Sequence, residues 1–305
     1  MGGRARAYAV VIMAASVVGL GLTVAAPAGA QAGAASPAIC VSAAHPLLAA
    51  RMSGGIASAL RGRRSAVGLA VADPGLGLSC RRDAGSHFVA ASAIKVTILS
   101  ALLLKAGGPG YLSAAQRSLA RAMITQSSNT AADRLWAEVG MAGMQRFLDR
   151  AGMTQTRLND AWGLTELTAA NELTLLRLLT SPGPVLTPAS RSYVLSLMAQ
   201  VVAAERWGTP AGIGARVTVH VKNGWLPYPT GSDWRINSLG TFAGPGTAYQ
   251  MAVLTSGNPS MDYGVDTIED AARVINRDIA EFVAWQRSHQ TAGAAGAGGV
   301  GTMGQ

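Results

Sequence analysis

The stretch ASAIKVTILSALLLK, Ala91–Lys105, predicts a helix that is apolar on almost every side. Such a helix has no face to turn to water, so other elements must enclose it. The chain has the material for this, because 49% of its 305 residues are apolar and only 13% are charged. We therefore expect a sizeable packed core rather than disorder. One amine, that of Lys95, lies inside this buried helix.

The order of the predicted elements indicates the fold class. A helix at His45–Arg61 precedes two short strands, Ala66–Ala72 and Leu78–Arg82. After the central helix, from about Ser92, further segments have helical spacing: Ala114–Thr125, Thr130–Val139, Met144–Ala151, Ala169–Leu179 and Ser190–Ala204. An antiparallel meander and a long helix are predicted next: Val217–Lys222, Trp234–Phe242, Tyr249–Thr255 and Thr267–Trp285. This order predicts an α+β fold, an antiparallel sheet covered by N- and C-terminal helices with an inserted all-helical lobe.

Both ends of the chain differ from the middle. Residues 1–30 begin with arginines, continue with a short apolar run and end in Ala28-Gly29-Ala30, which is typical of a secretory signal peptide. A single membrane anchor is the alternative, but the run is short and contains two glycines. We expect a linker over 31–44, one domain over 45–288 and a disordered Gly/Ala-rich tail over 289–305. The product would be secreted or associated with the cell envelope, with no membrane insertion after cleavage.

The cysteine and charge content restrict the classes of function that the sequence allows. Cys40 and Cys80 are the only cysteines, and export favours a disulfide between them over two free buried thiols. The net charge of +9 comes without a Lys/Arg-rich run or aromatic-interleaved basic patch, so nucleic-acid binding is not expected. Lys95, Lys105 and Lys222 are the only lysines. Lys105 lies near the carbonyl end of its predicted helix, where a positive charge is favourable, so only Lys95 and Lys222 still need an explanation.

The first chemical motif is Ser92-Ala-Ile-Lys95. Residues three apart share a helix face, so the amine lies near the hydroxyl against apolar surface. Burial lowers the pKa of a lysine, and a neutral amine can take the proton of a serine that acts as nucleophile. A Ser92 at the start of the helix also has a free N–H, which is half of an oxyanion hole. The alternative is a lysine that reaches to solvent along an apolar surface.

Two further motifs fit the same chemistry. Ser127 and Asn129, in Gln126-Ser-Ser-Asn-Thr130, offer a proton relay and an amide that holds substrate or Lys95, although ordinary helix capping is the alternative. In Lys222-Asn-Gly-Trp225, the lysine would attract an acidic substrate group, and Gly224 allows another backbone to approach closely. The N–H of Trp225 would supply the second oxyanion donor. The alternative is a plain strand end before a turn.

The motifs S-x-x-K, S-x-N and K-x-G, in this order, resemble those of the penicillin-recognising serine hydrolases, and of class A β-lactamases in particular. The resemblance covers roughly residues 45–288. It implies a β-lactamase-like fold, no metal or cofactor, and a monomer acting on a small-molecule β-lactam or a cell-wall peptide. It also implies roles for five residues. Ser92 would be the nucleophile, Lys95 the activating amine and Ser127 the proton shuttle. Asn129 would be the clamp that holds substrate or Lys95, and Lys222 the electrostatic anchor.

The chain departs from the family pattern in several places, including Ser128, where class A enzymes usually have an aspartate, and a short connection between the first two motifs. Asn223 stands where the family has a threonine or serine that grips the substrate carboxylate, so we expect Asn223, Gly224 and Trp225 to form an altered binding edge. The loop Thr156–Thr168, which in the family carries the glutamate that activates the deacylating water, is shortened. Asp160 and Glu166 are the candidate bases, and it is also open that there is none. Slow turnover, a D-Ala-D-Ala peptidase or esterase, and a non-catalytic cell-wall-binding protein are therefore alternatives to a β-lactamase.

Overall fold

The computed structural model describes residues 38–229 and 233–297. The predicted signal peptide and residues 31–37 of the predicted linker lie outside this part, as do residues 298–305 of the predicted tail. Eight strands are present in the described part: β1 Cys40–Val41, β2 Ala66–Asp73, β3 Leu78–Arg82, β4 His87–Val89, β5 Glu166–Thr168, β6 Thr218–Pro227, β7 Trp234–Gly244 and β8 Thr247–Asn258. Its eight α-helices are α1 Pro46–Ala59, α2 Lys95–Ala106, α3 Ala114–Thr125, α4 Asn129–Val139, α5 Met141–Ala151, α6 Ala169–Thr180, α7 Pro188–Ala199 and α8 Met261–Ala297.

The α+β fold is confirmed. Six strands form an antiparallel sheet in the spatial order β1-β3-β2-β8-β7-β6, and the terminal helices α1 and α8 pack against each other and against it. The helical lobe is inserted between β4 and β6, and α2 contacts α3, α4, α5 and α7 within it. Every α2 residue from Lys95 to Leu103 is buried, as its apolar sequence predicts. No helix of the described part has both the length and the apolar character needed to cross a membrane.

Several boundaries differ from the predicted ones. The central helix starts as a 3₁₀ turn, Ala91–Ile94, and becomes an α-helix only at Lys95. Helix α8 starts at Met261, before the predicted Thr267, and continues through residues 289–297, which we expected to be disordered. Alanine has the highest helix propensity, so an Ala-rich segment readily extends a helix that is already formed. The small sheet of β4 and β5 had no sequence signal, since its two strands are very short and far apart in the sequence.

The predicted linker is partly structured, because β1 lies within it and pairs with β3. Cys40 is opposite Cys80 in this pairing, and the two form a disulfide. The bridge was the favoured prediction and is confirmed. Both cysteines are buried, so the bridge attaches the start of the domain to the edge of the sheet from within the core.

We expect removal of this disulfide to lower the free energy of unfolding by about 4 kcal/mol. The cross-link closes a loop with a sequence separation of 40, and a loop of that length loses roughly this much entropy in the unfolded chain. Urea unfolding of the wild type, with and without reductant, measures the effect. The double variant Cys40→Ala/Cys80→Ala is the control and should not respond to reductant. Equal stability of the oxidised and reduced wild type would contradict the prediction.

Candidate active site

Ser92 lies on a tightly held segment at the edge of the main sheet. The preceding residue, Ala91, has a φ of +46°, a left-handed conformation that is strained for a residue with a side chain. The side-chain amide of Asn237 on β7 donates to the carbonyls of Val89 and Ala90 at 2.9 Å each, and so fixes the approach to the turn. The side chain of Ser92 is half-buried, so the hydroxyl is offered on a fixed backbone at a partly open position.

Gly224 brings strand β6 against this segment. A Cβ at position 224 would lie 2.6 Å from the nitrogen of Ala93 and 2.8 Å from that of Ser92. Real Cβ contacts are not this short, so only glycine allows the two backbones to approach. This is the close approach that K-x-G predicts, and it places the third motif beside the first.

Ser127 connects the three motifs. It has a φ of +52° between α3 and α4, and Ser128 caps α4 by accepting from the Ala131 N–H at 3.3 Å. The Nζ of Lys95 donates to the Ser127 carbonyl at 2.6 Å and to its hydroxyl at 3.3 Å. The Nζ of Lys222 donates to the same hydroxyl at 2.9 Å. One hydroxyl thus contacts both amines, although they come from a helix and a strand that are far apart in the sequence.

Asn129 completes the hold on Lys95. Its Oδ1 accepts from the Nζ of Lys95 at 2.8 Å, so the amide binds the lysine rather than capping a helix. Among the described residues, the hydroxyl of Ser92 has no hydrogen-bond partner, and Lys95 does not contact it directly. Catalytic hydrogen bonds are often long in unliganded enzymes and tighten when substrate binds. The amine is held one helical turn from Ser92, with Ser127 beside it.

Burial lowers the pKa values of both lysines. Each side chain is fully buried. Burial lowers the pKa of Lys95 to about 7, with the charge of Lys222 contributing in the same direction, and the carboxylates of Glu205 and Asp133 oppose this. Burial also lowers the pKa of Lys222 to about 8, against the opposing effect of Glu205. Near neutral pH, Lys95 is therefore neutral in a large fraction of molecules, while Lys222 is mostly charged.

The side chains of Asn223 and Trp225 point away from this cluster. The Nδ2 of Asn223 donates to the carbonyls of Glu205 and Trp207 at 2.9 Å each, and the Trp225 ring packs edge-on against Trp207. Side chains alternate along a strand, so residues 223 and 225 face the side opposite to Lys222 and Gly224. The amide nitrogen of Asn223 is thus engaged with the protein backbone, and substrate binding at Asn223, Gly224 and Trp225 stays a prediction. The N–H of Trp225 stays a predicted oxyanion donor.

The shortened loop presents an aromatic ring, not an acid, to Lys95. The carboxylate of Glu166 pairs with Arg157 at 3.2 Å, and Asp160 is exposed, so neither candidate base bonds to the lysine. The Trp162 ring instead lies with its centroid 4.9 Å from the Nζ of Lys95. Its Nε1 donates to Asp133 at 2.7 Å.

Sequence reasoning missed three residues of this site. Asp133 lies four positions after Asn129 on α4, so helical spacing contained a signal for it. Trp162 lies within the shortened loop Thr156–Thr168, where no sequence pattern indicated that its ring contacts Lys95. Glu205, on the 3₁₀ turn Ala203–Glu205, had no local signal at all. Within residues 38–229 and 233–297, no group of three His, Cys, Asp or Glu side chains is arranged to hold a metal ion.

Comparisons with known proteins agree with the fold. A mutant of the class A β-lactamase of the last common ancestor of Gram-negative bacteria aligns with a TM-score of 0.64 at 22% identity, over 75% of this chain and 98% of that chain. A class A β-lactamase from Bacteroides cellulosilyticus DSM 14838 aligns with a TM-score of 0.66 at 17% identity, over 75% of this chain and 97% of that one. At these identities the likeness shows the fold alone.

The sequence comparisons differ in reach. No curated protein matches the chain. The family model described as "Beta-lactamase enzyme family" matches residues 106–279, which is more than half of the 305 residues and includes the second and third motifs. The chain therefore belongs to the β-lactamase enzyme family and has the fold of its class A members.

Proposed function

We propose that this protein is an exported serine hydrolase that forms an acyl-enzyme at Ser92 with a β-lactam or a similar amide and hydrolyses it slowly. The observation that carries the proposal is the pair of buried lysines on the Ser127 hydroxyl, next to the segment that bears Ser92. Two buried amines that share one hydroxyl have no evident structural use, whereas both serve acyl transfer.

The proposed acylation begins with a neutral Lys95, which takes the proton of the Ser92 hydroxyl. The Ser92 oxygen then attacks the carbonyl carbon of the amide. The N–H groups of Ser92 and Trp225 would stabilise the negative oxygen of the intermediate. Ser127 gives its proton to the leaving nitrogen and recovers one from Lys95 through their hydrogen bond, so that the amide bond breaks and an ester on Ser92 remains.

Slow hydrolysis of this ester follows from the loop. Deacylation needs a water molecule and a base that activates it. The loop turns Glu166 to Arg157 and places the Trp162 indole at Lys95. An apolar ring at that place excludes water and supplies no base, so we expect the acyl-enzyme to persist.

A D-Ala-D-Ala peptidase or esterase activity is the second candidate. The side chain of Asn223 is turned away from the cleft, which supports it. The cleft therefore lacks the hydroxyl that holds a β-lactam carboxylate in the family. A D-Ala-D-Ala peptide ends in a carboxylate and loses the same contact, so simple esters without a carboxylate would then be the better substrates.

Export and envelope location are part of the proposal. The signal-peptide pattern of residues 1–30 supports them, and so does the Cys40–Cys80 disulfide, because such bridges persist in oxidising compartments.

Intact-protein mass spectrometry after incubation with benzylpenicillin tests the proposal. We expect one covalent adduct per chain, which peptide mapping locates on the segment containing Ser92. Hydrolysis of this adduct should be slow enough to follow by manual sampling over time. A chromogenic cephalosporin assay measures turnover. Rapid turnover without an accumulating adduct would contradict slow hydrolysis. Cleavage of D-Ala-D-Ala peptides or esters without an adduct would support the second candidate, and reversible binding alone would contradict both.

A further inference from the structure

The substitution of asparagine in the third motif has a structural consequence. The two hydrogen bonds from Asn223 Nδ2 fix the carbonyls of Glu205 and Trp207 on the back of β6. The chain just before Glu205 is also held to α3, because the N–H of Val202 donates to the Thr125 carbonyl at 3.0 Å. A threonine or serine at position 223 has no amide to make both bonds to Glu205 and Trp207. Asn223 thus anchors the turn that carries Glu205.

The carboxylate of Glu205 faces Lys222. Its Oε2 lies 3.8 Å from the Nζ of Lys222, and only 15% of the side chain is exposed. This oxygen is buried and has no hydrogen-bond partner among the described residues. A buried carboxylate oxygen without a hydrogen bond is costly unless a positive charge lies close to it. The arrangement therefore favours the molecules in which Lys222 carries a proton.

Acyl transfer at this site requires the two lysines to differ. Both amines contact the Ser127 hydroxyl, both are fully buried, and their charges repel each other. The proposed reaction needs Lys95 neutral, to accept the proton of Ser92, and Lys222 charged, to attract the substrate. Two identical buried amines would share one proton in either order, and half of the molecules would be unproductive.

We infer that Glu205 is a positioning residue that keeps the proton on Lys222, so that Lys95 is the amine that becomes neutral, and that Asn223 serves to hold Glu205 in place. The inference rests on the proposed function for its catalytic meaning. During acylation the proton of Ser92 passes to Lys95 and, through Ser127, to the leaving nitrogen. Lys222 gains and loses no proton in this sequence, so the proton count balances without it.

The other charged groups near the pair do not provide this asymmetry. Asp133 acts on Lys95, from across the Trp162 indole, and so favours the proton on the wrong amine. Glu205 acts on both lysines, but it forms its ion pair with Lys222. The direction of the proton preference therefore depends on Glu205.

NMR of protein labelled with ¹³Cε-lysine tests the inference directly, because the chain has only three lysines. Lys→Met variants assign the three signals, and their pH dependence gives each pKa. In the wild type, Lys222 should titrate above Lys95. In Glu205→Gln, we expect the pKa of Lys222 to fall by about one to two units and the order of the two lysines to be lost. Glu205→Asp should restore part of the difference.

Two more variants complete the test. Glu281→Gln removes an equal charge from α8, where the half-exposed Glu281 pairs with Arg51 of α1, and should leave both lysines unchanged. Asn223→Thr should lower the pKa of Lys222 in the same direction as Glu205→Gln, because the Glu205 turn loses its anchor. An unchanged Lys222 in Glu205→Gln would overturn the inference. An unchanged Lys222 in Asn223→Thr alone would overturn the role of Asn223.

The kinetic arm separates this inference from the proposed function. Acylation by benzylpenicillin at pH 7.5 should be about threefold slower in Glu205→Gln than in the wild type, because a fall of one unit from a pKa of about 8 reduces the charged fraction of Lys222 by roughly that factor. If the wild type forms no adduct but Glu205→Gln lowers the pKa of Lys222, the proposed function fails and the proton assignment stands. The other outcome is that the wild type forms the adduct while Glu205→Gln has the same lysine pKa values and the same acylation rate as the wild type. In that case the inference about Glu205 fails and the proposed function stands.

Discussion

Replacing Ser92 with alanine is expected to abolish the covalent adduct, and replacing Lys95 with methionine to slow its formation about a thousandfold. The first variant removes the only atom that can form the ester. The second removes the proton acceptor, and positioned general bases contribute roughly this factor. Methionine has a similar unbranched chain, and it replaces a buried amine with an apolar group, so the fold should persist. The adduct fraction against time, measured by intact mass, gives both effects.

The pH dependence of acylation gives the same prediction a second readout. In the wild type, the rate should rise with pH through about 7 as Lys95 loses its proton, and fall through about 8 as Lys222 loses its charge. The rising limb should be absent in Lys95→Met. Lys105→Met is the matched control, since Lys105 is exposed at the end of α2. A Lys95→Met protein with wild-type rate and profile would exclude Lys95 as the base.

Elements with explicit start and stop signals could be predicted to the residue. Helix α3 matches its predicted bounds because Ser113 and Gln116 form a capping box at its start. Strand β3 matches because a Pro-Gly turn precedes it. Helix α8 does not match, since nothing in its Gly/Ala-rich end tells a helix apart from a disordered tail. Strand pairs such as β4 and β5, which depend on tertiary contacts alone, had no local pattern to detect.

The residues of the candidate site also separate into those that local sequence patterns predict and those that they do not. The three motifs were visible because helix and strand periods decide which residues share a face, and the period of two along β6 already implied that Asn223 faces away from Lys222. The partners that tune the lysines could not be found in this way. Glu205 and Trp162 reach the pair from a 3₁₀ turn and a loop, whose side-chain directions depend on tertiary packing rather than on any period.

A stability effect as large as that of the disulfide is expected at Glu172, a residue that takes no part in the proposed chemistry. It lies on α6 with none of its surface exposed, and neither carboxyl oxygen has a hydrogen-bond partner among the described residues. Burial raises its pKa from 4.5 to about 8. A buried carboxyl without partners is much easier to keep protonated than charged. The folded chain therefore binds a proton here that the unfolded chain releases near pH 4.5.

This difference makes the stability of the protein fall as the pH rises. Below pH 4.5 both states are protonated at Glu172, and the group contributes no penalty. Between 4.5 and about 8 the unfolded state is ionised while the folded state is still protonated, so the free energy of unfolding decreases by about 1.4 kcal/mol per pH unit. Above about 8 the penalty levels off. The loss from pH 5 to pH 9 is then about 4 kcal/mol, a large part of the stability of a typical domain.

Methionine at position 172 should remove this loss, because it fills a similar volume in a helix and carries no titratable group. We expect the stability advantage of Glu172→Met over the wild type, from urea unfolding, to grow by about 4 kcal/mol between pH 5 and pH 9. Glu281→Met, at a half-exposed helical carboxylate, should show no comparable growth. The pH trend isolates the charge, since any packing change at position 172 shifts both measurements equally. An advantage that stays constant with pH would mean that the Glu172 carboxyl has a partner that compensates its charge.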